Sequence, residues 1–130
     1  MSGKFDIAHR PRVIVCGTRT FSDWRLLYDK LDKVIENLTN PLICTGAVRG
    51  MDKLVEEWAM RRKFSLFRFH TDPKHKEDAE VIRNKEMLKF ALERKPAFLV
   101  SFWDGKSTDT RNLIEQARKA KIKMRIYYYD

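Results

Sequence analysis

The sequence predicts an α/β fold, in which a five-stranded parallel sheet carries helices on both faces. Short β-branched or aromatic runs alternate with segments whose apolar residues are three and four positions apart, and the connections are short. Strands that are joined through helices run parallel, and right-handed crossovers cover the sheet with those helices. A chain of 130 residues is long enough for one domain with its own core.

The predicted strands are five short apolar runs. In chain order they read RVIVCG, PLICTG, SLFRFH, PAFLVSFW and KMRIYYY. PAFLVSFW is the most apolar run, so we expect it near the centre of the sheet. The preceding residues are more polar, and we therefore expect an N-terminal extension over residues 1–11 and a single Rossmann-like domain over residues 12–130.

Four helices are predicted between these strands. The first begins after Asp23, a suitable N-cap, and the second reads MDKLVEEWAMRRK. The third is expected from about Lys76 to Leu92, and the fourth from Thr108 to Lys121. Trp24 and Trp58 fit the apolar faces of the first two helices, so both are expected in the core.

Composition limits the partners and the compartment. The chain has 27 basic and 18 acidic residues, and its net charge of +9 favours nucleic acid, nucleotides or phosphorylated metabolites as partners. The basic residues are interleaved with apolar ones, which is typical of solvated helix faces. Cys16 and Cys44 lie in apolar runs without a hydrophobic leader before them, so we expect reduced core thiols in a cytoplasmic protein. No apolar run approaches the roughly 20 residues of a membrane span.

The loops after the first, second and fourth strands combine glycine, hydroxyl groups and a basic residue. They read CGTRTFSD, CTGAVRGMD and FWDGKSTDT, whereas the third loop, HTDPKHKEDAEVIRN, has no glycine. Ligands of an open parallel sheet bind beyond the carboxyl ends of its strands, where these loops meet. Glycine allows close approach of backbone N–H groups, and helix N-termini attract anions. The pattern therefore predicts an anion site that would suit a phosphate.

Four motifs carry a resemblance to a known family. VCGTRTFSD, TGAVRGMDKLVEEWA, RNKEM and LVSFWDGKSTDTRNLIEQA stand in that order, and together they resemble the motifs of the YspA-related branch of the SLOG superfamily. This superfamily of Rossmann-like nucleotide-binding domains includes the DNA-processing protein A (Smf) family and the cytokinin-activating lonely-guy enzymes. The resemblance extends from about Val13 to Ile126. It implies a nucleotide or nucleotide-derived ligand at the carboxyl edge of the sheet.

The resemblance also implies which residues bind the ligand. They are Gly17, Thr18 and Arg19 in the first loop, Gly46, Arg49, Gly50 and Asp52 in the second, Arg83 and Asn84 in the third helix, and Asp104, Gly105, Ser107, Thr108 and Thr110 in a phosphate cradle. The chain departs from the branch at two places. Gly46, Ala47 and Val48 stand where the branch usually has Gly-Gly-Ala, and Asp109 replaces a glycine, which adds a carboxylate beside the expected phosphate.

Enzymatic activity stays open at this stage, although the residues favour binding alone. Lonely-guy enzymes carry carboxylates in the helical turn after their Gly-Thr, whereas Arg111–Leu113 follows Thr110 in this chain. We therefore expect a sensor or sequestering module, which could act on a signalling nucleotide. A weak hydrolase of the N-glycosidic bond of nucleoside monophosphates is the alternative, with Asp52, Asp104 or Glu115 as a substitute carboxylate.

A second alternative is a module that binds single-stranded DNA. DNA-processing protein A belongs to the same superfamily and binds such DNA, and the charge of +9 would support contacts to the backbone. Relatives commonly form dimers, so a homodimer or higher homo-oligomer is expected. The protein could come from a bacterial or a phage genome, and a phage protein of this kind could sequester a defence signal.

Metals and exposed rings receive weaker predictions. No histidine or cysteine pair has the spacing of a transition-metal site, so none is predicted, while Mg²⁺ could accompany a nucleotide at Asp52 or Asp104. Phe21 and Trp103 stand at strand-to-helix junctions, where each would either contact the ligand or pack beneath its loop.

Overall fold

A computed structural model of the chain describes residues 10–46, 50–94 and 96–129. Strands and helices alternate along it. The strands are β1 (Arg12–Gly17), β2 (Leu42–Thr45), β3 (Ser65–Arg68), β4 (Ala97–Trp103) and β5 (Lys123–Tyr128). The helices are α1 (Trp24–Ile35), α2 (Met51–Arg62), α3 (Ala79–Leu92) and α4 (Thr108–Lys119), and a 3₁₀ helix over Pro73–Asp78 leads into α3.

The five strands form one parallel sheet in the order β3-β2-β1-β4-β5. Successive residues of β1 point to opposite faces, so Val13 joins the core beneath α1 and α2, whereas Ile14 joins the core beneath α3 and α4. Both faces are therefore covered by helices, and the predicted fold class is confirmed. After β1 the chain adds β2 and β3 on one side of that strand, and it then crosses back to add β4 and β5 on the other side. The strand order therefore switches between β1 and β4.

The core beneath α1 and α2 centres on Trp58, whose side chain is fully buried. Its indole Nε1–H donates to Asp32 Oδ1 at 2.9 Å, and Arg62 donates to both oxygens of that carboxylate at 2.9 and 2.8 Å. Together these hydrogen bonds lower the pKa of Asp32, the contact from Arg62 having the larger effect. The buried ring thereby joins α2 to α1 without leaving its polar atom unpaired.

Three details of the sequence prediction differ from the structure. Trp24 is 51% exposed rather than buried, because it is the first residue of α1 and the buried stripe of that helix begins at Leu27. The third helix begins at Ala79 rather than Lys76, because Lys76 has a positive φ of 50° that interrupts the helix. The fourth helix ends at Lys119, before Lys121 adopts a left-handed conformation with φ 60°.

Both cysteines are free thiols, as predicted, with Cys44 fully buried and Cys16 half-buried. Burial raises the pKa of each to about 12, so neither thiolate forms near neutral pH. Within the described ranges, no helix combines the length and the apolar character needed to cross a membrane.

Trp58→Ala and Trp24→Ala form a matched test of these packing assignments. The first change should lower the free energy of unfolding by about 3–5 kcal/mol, because it removes a fully buried ring. The second should cost less than about 1 kcal/mol, because half of that ring already faces solvent. Chemical denaturation followed by circular dichroism measures both, and equal losses would contradict the assigned burial.

Candidate functional site

The candidate site lies where β1 and β4 end side by side. Gly17 and Phe102 are register partners, and the N–H of Thr18 donates to the carbonyl of Phe102 at 3.0 Å. We name the connections by the strand that they follow: the β1 loop is residues 18–23, the β2 loop is residues 46–50, and the β4 loop is residues 104–107. Because parallel strands end at one edge, the described residues of the three loops lie together there.

Asp104 holds the β4 loop in shape. Its Oδ1 accepts hydrogen bonds from the N–H groups of Lys106 and Ser107, at 2.8 and 2.9 Å, and from the Thr18 hydroxyl at 3.1 Å. The Ser107 and Lys106 N–H groups, in that order, are the main reason that the pKa of Asp104 is lowered. Two backbone donors of the β4 loop, one of them from Ser107 of the expected phosphate cradle, are therefore used inside the protein.

The first turn of α4 has donors to spare. Ser107 is the N-cap, yet its side chain makes no capping hydrogen bond, and its hydroxyl lies 3.4 Å from Oγ1 of Thr110. In the described part of the chain, the backbone N–H groups of Thr108, Asp109 and Thr110 have no acceptor. By contrast, α1 is capped by Asp23, which accepts from the Leu26 N–H at 3.0 Å. Such an uncapped N-terminus can bind an anion.

Arg83 reaches the site from α3 and is only 4% exposed. Its Nη2 donates to Oδ2 of Asp109 at 2.6 Å, its Nη1 donates to the Gly46 carbonyl, and its Nε donates to Oδ1 of Asn84 at 2.9 Å. One guanidinium thus joins α3, the β2 loop and α4. Its charge is neutralised by a neighbouring carboxylate rather than left open for a ligand.

Asn84 reinforces the same junction. It is 1% exposed, and its Nδ2 lies 2.9 Å from Oδ1 of Asp109 and 3.1 Å from Oδ1 of Asn112. Gln116 Nε2 donates to Asn112 Oδ1 at 2.7 Å, which continues the network along α4. Sequence reasoning named Asn84 as a ligand residue, whereas in the structure its amide binds α4.

Between these groups lies a cavity of about 10 Å³. Gly17 and Gly46 line it at the strand ends, Arg83 and Asn84 line it from α3, and Asp109 and Thr110 line it from α4. A cavity of this volume holds about one water molecule. A nucleotide therefore fits only on the solvent side of this cluster, unless its side chains move.

Two glycines of the site pack closely against the protein itself. A Cβ on Gly17 would lie 2.5 Å from the carbonyl oxygen of Phe102, and one on Gly46 would lie 2.8 Å from Nη1 of Arg83. The sequence suggested glycine there for close approach to a ligand. The structure shows close approach to a neighbouring strand and to a buried guanidinium instead.

Asp52 does not join the cluster in the described structure. Asp52 stands in the first turn of α2 and pairs with Arg68 at the end of β3, with Oδ1 and Nε 3.4 Å apart. Arg68 also pairs with Glu56. Arg49, Ala47 and Val48 lie outside the described residues. Asp52 thus has a cationic partner within the protein, and no group of three or more metal-ligating side chains occurs in the ranges that the structure describes.

Glu80 is a site residue that the sequence analysis missed, whereas Asp109 was expected there only as a carboxylate beside the phosphate. Glu80 stands in the first turn of α3, and its pKa is raised, first by burial and then by the negative charge of Asp109. The positive charges of Arg83 and Arg19 partly oppose the rise in the pKa of Glu80, so Arg19 lies near that carboxyl group. Helical spacing could have identified Glu80, because it precedes Arg83 by three residues and therefore lies on the same face of α3.

The two junction aromatics pack beneath their loops. Phe21 is 2% exposed, and its ring centroid lies 4.8 Å from that of Phe102 and 5.0 Å from that of Tyr129. The indole of Trp103 donates to the carbonyl of Ser107 at 3.1 Å. Both rings therefore support the loops that they adjoin.

The sheet order, the crevice between β1 and β4 and the glycine-containing loops define a Rossmann-like domain. A family model described as "YspA, cpYpsA-related SLOG family" matches residues 11–75, which is half of the chain, and the protein therefore belongs to that family. No curated protein and no solved structure gives a significant match. The matched segment contains the β1 and β2 loops, whereas Arg83 and the β4 loop lie beyond it.

Gly50 and Gly105 provide a matched test of the loop geometry. Both have positive φ, 83° and 81°, but a Cβ on Gly50 would overlap the carbonyl oxygen of Arg19, whereas Gly105 has open space. Gly105→Ala should therefore cost about 1–2 kcal/mol of backbone strain, and Gly50→Ala about 2–5 kcal/mol because steric overlap adds to the strain. Urea unfolding measures the difference, and a Gly105→Ala loss as large as that of Gly50→Ala would refute it.

Proposed function

We propose that the protein binds a nucleotide or a nucleotide-derived, phosphorylated small molecule at the carboxyl edge of the sheet, as a sensor or sequestering module. The observation that carries the proposal is the first turn of α4, where three consecutive N–H groups have no acceptor among the described residues. These donors and the positive end of the helix dipole suit a phosphate group. Membership of the SLOG family supports a nucleotide as its source.

The charge around the β4 loop supports the same assignment. Lys106 is exposed in that loop, and Arg111 donates from Nη2 to the carbonyl of Gly105 at 3.0 Å. The Arg111 guanidinium also lies 5.4 Å from the centroid of the Trp103 ring, which fixes it beside the loop. Two cations thus flank the α4 N-terminus, and the overall charge of +9 attracts anions over a longer range.

Binding without catalysis suits the carboxylates of the site. Asp104 accepts three hydrogen bonds that fix the β4 loop, and Asp52 pairs with Arg68. A general acid or base needs a proton-transfer group within hydrogen-bond reach of the reacting atoms. Of the three candidate carboxylates, Asp52 and Asp104 already have structural partners, so their contacts support a binding protein better than a hydrolase.

Thr108→Pro tests the α4 donors with little expected change in stability. Proline is favoured at the first helical position, where the N–H has no helical partner, and Ser107 has the ψ of 123° that a residue before proline adopts. The change removes one N–H and one hydroxyl group. Thr108→Ala is the matched control, because it removes the hydroxyl group and keeps the N–H.

Ligands should first be identified by thermal shift of the wild-type protein with nucleotides, cyclic nucleotides, ADP-ribose derivatives and short single-stranded DNA. For a small ligand that stabilises it, calorimetry should show affinity about tenfold or more lower in Thr108→Pro than in Thr108→Ala, because a charged hydrogen bond is lost. Equal affinity in the two variants would place the phosphate elsewhere. A response to DNA alone, weakening steeply with salt, would replace the proposal with a nucleic-acid module.

A further inference from the structure

The guanidinium of Arg83 is the most deeply buried cation at the candidate site, and its charge already has a partner. Its side chain is 4% exposed, and the nearest carboxylate oxygen, Oδ2 of Asp109, lies 2.6 Å from Nη2. The Gly46 carbonyl and Asn84 accept from its other nitrogens. A phosphate that used Arg83 would therefore have to displace Asp109 or lie beside it.

Asp109 stands where the protein concentrates donors for an anion. Oδ2 accepts from Arg83 at 2.6 Å, and Oδ1 accepts from Asn84 at 2.9 Å. Asp109 also lies in the first turn of α4, whose dipole favours negative charge. The side chain of Asp109 is 17% exposed, so its carboxylate occupies the inner end of the site and is still accessible from solvent.

We propose that Asp109 is a built-in anion that determines which part of the ligand enters this end of the site. It excludes phosphate from Arg83 and accepts hydrogen bonds from the ligand's ribose hydroxyls or from an amino group of its base. This inference rests on the proposed function and adds an orientation to it. The sugar or base faces Asp109, and the phosphate lies at the outer side of the α4 N-terminus, near the Thr108 N–H and the exposed side chain of Lys106.

Charge and space support this orientation. A phosphate beside Asp109 would meet like charge in a partly buried setting, and the nearby carboxyl group of Glu80 adds to that repulsion when it is ionised. The cavity of about 10 Å³ around Arg83 has no room for a phosphate. An ionised carboxylate only accepts hydrogen bonds, and acidic side chains bind ribose hydroxyls in other dinucleotide-binding folds.

Asp109→Gly removes the carboxylate, opens the space beside Arg83 and provides the direct test, with pyrophosphate as the probe. Asp109→Asn removes the charge with little change in volume, and it replaces the glycine variant if that one does not fold. Asp29→Asn is the charge-matched control, because Asp29 lies on α1 and pairs only with Lys30 and Lys33 among the described residues. Arg83→Met combined with Asp109→Gly tests whether any gain depends on the guanidinium.

The Asp109→Gly variant should melt at a lower temperature than the wild type, because a buried cation loses its partner. Pyrophosphate should raise that temperature and bind at least tenfold more tightly than to the wild type or to Asp29→Asn. The gain should vanish in the double variant. A gain of less than twofold at position 109, or tight pyrophosphate binding by the wild type that Arg83→Lys abolishes, would overturn the inference.

The two proposals fail separately. If the wild-type protein binds nucleotides but the Asp109 variants gain no affinity for pyrophosphate, the proposed function stands and the role of Asp109 is rejected. If the Asp109 variants gain affinity for pyrophosphate but the wild-type protein binds no nucleotide, Asp109 is supported as the built-in anion and the proposed function is rejected.

Discussion

The buried ion pair between Arg83 and Asp109 joins the parts of the molecule on which the candidate site depends. Arg83 comes from α3, Asp109 lies in the first turn of α4, and Gly46 follows β2, so one guanidinium connects three segments that are distant in sequence. Removal of one member of such a pair leaves an uncompensated buried charge and typically costs about 3–5 kcal/mol. The interaction thus fixes the position of the α4 N-terminus relative to the sheet edge.

Around that pair, the loops are ordered by hydrogen bonds within the protein. Asp104 fixes the β4 loop and links it to Thr18, while Trp103 supports the loop through the Ser107 carbonyl. Among the described residues, the first-turn N–H groups of α4 have no acceptor, and the β4 loop beside them is held in place. Because the loops of such a site are already ordered, ligand binding costs little conformational entropy.

The fold could be predicted from the sequence because it follows from local periodicity. Five apolar runs and four amphipathic segments require a parallel sheet between two layers of helices, and the structure has that arrangement. Details that depend on local backbone geometry were less predictable. The positive φ of Lys76, which delays α3 to Ala79, has no glycine or asparagine to indicate it.

The site could be predicted in its location but less well in its contacts. The motifs identified Arg83, Asn84 and the β4 loop, and all of them lie at one edge of the sheet. The ion pair between Arg83 and Asp109 spans 26 positions and is set by the packing of α3 on α4, so no sequence spacing reveals it. The role of Asp104 likewise depends on Thr18, which is 86 positions away. These contacts show that Asp104 and Asp109 hold the site together, whereas the sequence alone suggests only that they lie beside a ligand.

Backbone-amide NMR tests most directly whether a small nucleotide-type ligand binds at the carboxyl edge of the sheet. The spectrum should be recorded with and without the nucleotide that stabilises the protein most. We expect the largest shifts at the N–H groups of Thr108, Asp109 and Thr110 and in the β1 loop, with little change at the opposite edge near Arg12 and Leu42. Shifts confined to other surfaces, or spread over the basic helix faces, would contradict it.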